Sequence, residues 1–176
     1  NGLSELTNYY YRIYAFNGSG NKLNYLTNAP LEGNATTLLT TPDSQPTLFM
    51  ANNFSSSSLD VSFTAPSPTP TGYLVVRKAA AAPSFVPVAN TSYSNGQSLP
   101  NDEWVAYSGA AALFSESGLD PGTEYHYRVF AFNQNGSLFS YNVVSPLSGV
   151  ASTLVGEPTS QPSDVMFGNI GATSVD

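Results

Sequence analysis

A single offset of 116 residues relates one part of this chain to another, and that repeat constrains the fold more than any other feature. Residues 2–17, GLSELTNYYYRIYAFN, return at 118–133 as GLDPGTEYHYRVFAFN. The same offset carries APLEG at 29–33 onto SPLSG at 145–149, and SQP at 44–46 onto SQP at 160–162. Ungapped comparison of 1–60 with 117–176 gives 25 identities in 60 positions, so the repeat runs through loops as well as strands. The 176 residues therefore hold about one and a half copies of a 116-residue unit.

Boundaries follow from the proline pairs Pro42/Pro46 and Pro158/Pro162, which favour extended, stiff connections. On that division residues 1–40 are the closing strands of one module, 41–155 a complete module, and 156–176 the opening strands of the next. The chain starts at Asn1 without a Met or a signal-like segment and stops at Asp176 inside a strand-like stretch. Both ends read as cuts through a longer polypeptide.

Within 41–155, apolar residues alternate over short runs broken by Gly, Pro, Asn and Ser, the pattern of an all-β sandwich. Strands are predicted near 46–51, 58–64, 72–78, 103–108, 111–116, 123–133 and 147–154. Leu59, Val61 and Phe63 alternate with polar neighbours, so that strand has one buried and one wet face. In the longest strand Tyr125, Tyr127, Val129 and Ala131 share one face, while His126, Arg128, Phe130 and Phe132 share the other. No window has the periodicity of an amphipathic helix; Ala79 to Ala82 is too short to nucleate one.

These residues resemble the fibronectin type III family. GLDPGTEYHYRVFAFN is similar to that family's turn into its F strand, through Leu119, Pro121, Gly122, Thr123 and Tyr125. The resemblance implies that Tyr125 is a corner tyrosine whose hydroxyl bonds backbone just upstream, with Leu119 beside it. Tyr9 and Leu3 are the counterparts in the other copy. Val61 to Pro66 is similar to the B strand, with Phe63 where a Trp is usual, and Gly72 to Val76 to the C strand. The segment 79–111 is longer than the family's usual connection. Extended modules of this kind resemble those of secreted and surface proteins of Bacteroidota-type bacteria, which implies an extracellular or cell-surface location.

Candidate chemistry is sparse. Catalysis of the Ser–His–Asp type would need His126 as base, yet its counterpart is Tyr10, so a surface ring on a sheet is the better reading. Asp102 and Glu103 are adjacent and point to opposite faces of a strand, which reads as solvated loop charge rather than a hydrolytic pair. No calcium loop, phosphate loop or Arg-Gly-Asp tripeptide occurs, and no catalytic residue, cofactor or metal ligand is assigned. Twelve acidic against five basic residues leave a net charge of -7, which argues against nucleic acid as a partner. No apolar run approaches the roughly 20 residues of a membrane helix. Zero Cys removes disulfides and thiol chemistry together.

Ser, Asn and Thr fill 55 positions, so the five Asn-x-Ser/Thr sequons at Asn17, Asn34, Asn53, Asn90 and Asn135 are partly a matter of chance. Trp104, Tyr107 and Tyr93 are candidates for a sugar-stacking platform, with packing against their own sheet the more ordinary role. Leu74, Val76, Phe130 and Phe132 form an outward apolar patch, matched by Tyr14 and Phe16 in the other copy. Either the 79–111 segment or another chain must cover it, and the segment is the expected cover. The sequence thus predicts a structural repeat of an extracellular filament, stalk or adhesin. Its partners would be neighbouring copies of the module, with cell-surface or polysaccharide contact in addition. The rival is a spacer or carbohydrate-binding accessory part of a secreted enzyme.

Overall fold

The computed structural model describes residues 2–158 and residue 160. The opening strands expected at 156–176 therefore lie almost wholly outside the described residues.

The first forty residues make two small antiparallel sheets. Strand β1 (Asn8–Ile13) pairs with β4 (Leu31–Thr36), and β2 (Phe16–Ser19) with β3 (Lys22–Tyr25). Nearly all of their side chains are exposed.

Residues 47–152 form a two-sheet sandwich. Its strands are β5 (Thr47–Asn52), β6 (Ser58–Thr64), β7 (Gly72–Ala79), β8 (Ser98–Leu99), β9 (Glu103–Gly109), β10 (Leu113–Ser117), β11 (Glu124–Asn135), β12 (Leu138–Tyr141) and β13 (Leu147–Ser152). One sheet has the order β10-β6-β5. The other has the order β12-β11-β7-β9-β8, and β13 also pairs with β11. A single short 3-10 turn, Pro100–Asp102, joins β8 to β9.

The predicted strands are present, with ends that match or shift by at most two residues. The short β8 and β12 went unpredicted, because neither two nor four residues can establish a period.

Two cores flank the larger sheet. Between the sheets lie Leu59, Val61, Phe63, Tyr73, Val75, Phe114, Tyr125, Tyr127, Val129 and Ala131. Phe63 meets the Tyr73 ring edge-on at 4.8 Å, taking the position expected of a larger aromatic. On the outer face Leu74, Val76, Val105, Phe130, Phe132 and Tyr141 gather beneath Phe85, Tyr93 and Leu99. Being covered on both sides explains why β7 buries Gly72 to Val76 without a break instead of alternating.

Candidate functional site

The corner is built by hydrogen bonds around Tyr125. The Asp120 N–H donates to the Tyr125 hydroxyl at 2.9 Å. The Thr123 N–H donates to Thr153 Oγ1 at 3.0 Å, and Thr153 Oγ1 donates to the Asp120 carbonyl at 2.6 Å. The Arg77 guanidinium lies 5.1 Å above the Tyr125 ring. Leu119 is buried beside it and donates its N–H to the Ser57 carbonyl.

The first forty residues hold the same network 116 positions earlier. Ser4 N–H donates to the Tyr9 hydroxyl at 2.8 Å, Thr7 N–H to Thr37 Oγ1 at 3.0 Å, and Thr37 Oγ1 to the Ser4 carbonyl at 2.6 Å. Strand registers repeat as well: Tyr9 pairs with Ala35 as Tyr125 pairs with Ala151, and Phe16 with Tyr25 as Phe132 with Tyr141. The packing does not repeat, since Leu3 is exposed where Leu119 is buried.

The outer apolar patch is closed by the chain itself. Leu74, Val76, Phe130 and Phe132 are buried beneath the 79–111 segment, so they are not open to another chain. Tyr93 meets Phe85 at 5.3 Å and Tyr141 at 5.8 Å, both edge-on, and its hydroxyl accepts the Val88 N–H at 3.0 Å. Tyr14 and Phe16 remain exposed.

Glu103 holds this cover down. Its carboxylate is fully buried and accepts from Ser84 N–H at 2.6 Å, Ser84 Oγ at 2.7 Å and Phe85 N–H at 2.8 Å. Burial pushes the carboxyl up, but the Ser84 and Phe85 hydrogen bonds and the Lys78 charge outweigh it and hold it below its ordinary value. Reading Glu103 as solvated loop charge is thus wrong; its exposed neighbour Asp102 fits that description. The signal missed was Ser84, nineteen residues away and silent without the fold.

A second buried carboxylate, Glu116, pairs with Arg77 and accepts the Tyr127 hydroxyl at 2.9 Å. Burial pushes the Glu116 carboxyl above its ordinary value, against the pull of Arg77 and of the Tyr127 hydrogen bond. His126 contacts Glu124 Oε1 at 2.8 Å, two residues away on the same face. Among the described residues no group of three or more His, Asp or Glu could hold a metal, and no helix is long and apolar enough to cross a membrane.

The three aromatic candidates do not share a face. Tyr93 belongs to the outer core, and Tyr107 stacks on Phe114 at 4.8 Å toward the inner one. Trp104 is left partly exposed, so the rings form no common platform. All five sequon asparagines are exposed.

Gln45 is a positioning residue that sequence reasoning passed over, although its SQP motif repeats. Its Oε1 accepts the Ala131 N–H at 2.9 Å, while its Nε2 donates to the Asn142 carbonyl at 2.6 Å and the Val144 carbonyl at 3.2 Å. Asn142 Nδ2 donates to the Pro42 carbonyl and Asn133 Nδ2 to the Thr40 carbonyl, both at 3.0 Å. Residues 40–45 are thereby laid along the side of β11 and β12.

Comparison with known proteins gives one family. The model described as the fibronectin type III domain matches residues 44–145. The curated proteins gave no match. Among solved structures, domains d3–d4 of the rat CD45 extracellular region are similar at 16% identity, over 87% of this chain and 67% of that one, with a TM-score of 0.45. The fibronectin type III domain of human fibronectin type III domain containing protein 3 is similar at 16% identity over 72% and 100%, TM-score 0.45. The corresponding domain of human collagen XX is similar at 23% identity over 68% and 100%, TM-score 0.41.

Proposed function

This chain belongs to the fibronectin type III family, whose domains are commonly structural or spacer modules, and from that premise we propose that it is a non-enzymatic repeat of an extracellular filament, stalk or adhesin. On this reading residues 1–40 close one module, 41–155 are the next, and 156–176 open a third. Neighbouring copies of the module are its partners. The observation that carries the reading is the recurrence of one corner network at Tyr9 and at Tyr125, bond for bond, at the 116-residue offset of the sequence.

The connection between the units supports the same reading. A free linker would let successive modules tumble, whereas Gln45, Asn133 and Asn142 fasten residues 40–45 to the sandwich that follows. Stacked modules with pinned connections give length with little mass. Electron microscopy of the parent polypeptide tests it. The expected image is a thin filament with an axial repeat on the order of 30–45 Å, set by strand length plus linker. A compact globular particle would refute it.

A further inference from the structure

The repeat breaks at three positions where the first unit meets the sandwich that follows it. Leu3, Thr7, Thr37 and Leu38 are identical with Leu119, Thr123, Thr153 and Leu154, and around them the corner network recurs. Among these shared residues, Glu5, Leu6 and Thr40 stand where the second copy has Pro121, Gly122 and Gly156.

Leu6 is the strained one of the three. It adopts a φ of 51°, and Gly122 at the matching place adopts 61°. Glycine enters that left-handed region freely, whereas the Cβ of a leucine crowds the following carbonyl there. Strain kept at such a position points to a use for the side chain. Leu6 is half-buried and, with Leu38 and Leu39, lines one wall of a cleft of about 230 Å³. Ala89, Leu138 and Phe139 of the following sandwich line the other wall. Asn90 steadies that wall: its N–H donates to the Phe139 carbonyl at 2.9 Å, and its Oδ1 accepts the Phe139 N–H at 3.2 Å.

The other two replacements act on the linker. Glu5 accepts the Thr40 N–H at 2.9 Å and the Thr40 hydroxyl as well. The Thr40 carbonyl accepts from Asn133 Nδ2 of the following sandwich, so one linker residue is held from both units. One residue on, Thr41 Oγ1 meets Ser140 Oγ at 2.7 Å. Pro121 and Gly156 offer neither carboxylate nor hydroxyl for such a grip. The receiving wall also differs between the copies, since Leu138 corresponds to Lys22.

We propose that the end of the first unit and the facing wall of the sandwich form a dedicated interface that locks this joint, whereas the joint after residue 155 lacks the same residues and is a hinge. The inference rests on the repeat reading above and adds that successive joints are of two kinds, one stiff and one free.

The chain has no cysteine, so Thr27→Cys and Ser117→Cys place one nitroxide label on each unit of the full chain, both at exposed positions. Pulsed electron resonance should give one narrow distance between them. Glu5→Pro with Leu6→Gly and Thr40→Gly gives this joint the residues of the other. That triple variant should spread the distance and speed exchange of the residue-40 amide by about tenfold, while the Ser4 and Thr7 amides keep their protection. Leu138→Lys leaves the first unit untouched and should spread the distance by disturbing the opposite wall. A broad distance in the parent chain would overturn the proposal, as would an unchanged narrow one in either variant. Loss of protection at Ser4 and Thr7 in the triple variant would assign the three residues to the corner itself and overturn it too. A filament can be built with either kind of joint, so failure here is distinguishable from failure of the filament reading.

Discussion

Two buried tyrosines carry hydroxyls with opposite consequences. The Tyr125 hydroxyl accepts the Asp120 N–H, so Tyr125→Phe strands a half-buried donor and should destabilise the sandwich by roughly 1–2 kcal/mol. The Tyr73 hydroxyl is buried with no hydrogen-bond partner among the described residues, so Tyr73→Phe removes a desolvated polar atom. That variant should be neutral or more stable by up to about 1 kcal/mol. Denaturant unfolding of both checks the pair; equal losses would show that the corner bond contributes nothing specific. His126→Tyr should be nearly neutral, since Tyr10 already occupies the equivalent place. Tyr125 was legible in the sequence because the corner is local, spanning five residues. Glu103 and Gln45 were not, because their partners lie 18 or 19 residues away for one and 86 to 99 for the other, and nothing local marks a side chain that bonds across such distances.

The segment 79–111 is the element whose attachment can be tested separately from the sandwich. Glu103→Gln keeps the shape but replaces an ionised acceptor of three hydrogen bonds, at a cost of about 1–3 kcal/mol. Tyr93 should then become more accessible to solvent while the inner core stays intact, which tyrosine fluorescence and exchange at residues 84–88 would report. The pH dependence has a definite sign. Because the folded Glu103 carboxyl is held below its ordinary value, its contribution is present above the unfolded value near 4.5 and is lost as pH falls through the lower folded one. Glu116 runs the other way: its raised carboxyl contributes fully below the unfolded value and less as pH rises through the folded one. Acid should therefore loosen the cover before the inner core, and Glu103→Gln should flatten that early phase. The seven principal strands were legible from alternation and turn residues. The cover was legible only as a need, from four outward apolar side chains, because its own irregular path has no period to read.

At the scale of the whole molecule, stability is concentrated in one unit. Residues 41–155 expressed alone should unfold in a single cooperative transition, because both cores lie within them. Residues 2–40 alone should show no cooperative melt, since four short strands with exposed faces cannot bury a core. Calorimetry of the two pieces checks both statements, and a sharply melting 2–40 peptide would move the module boundary. The fastening of residues 40–45 has a mechanical consequence. Tension applied between the two units pulls on a stretch tied at Thr40, Pro42 and Gln45, so these bonds are loaded before β5 feels the pull. Within the sandwich unit rupture then begins at the junction, and the strands behind it stay folded while the chain first yields length.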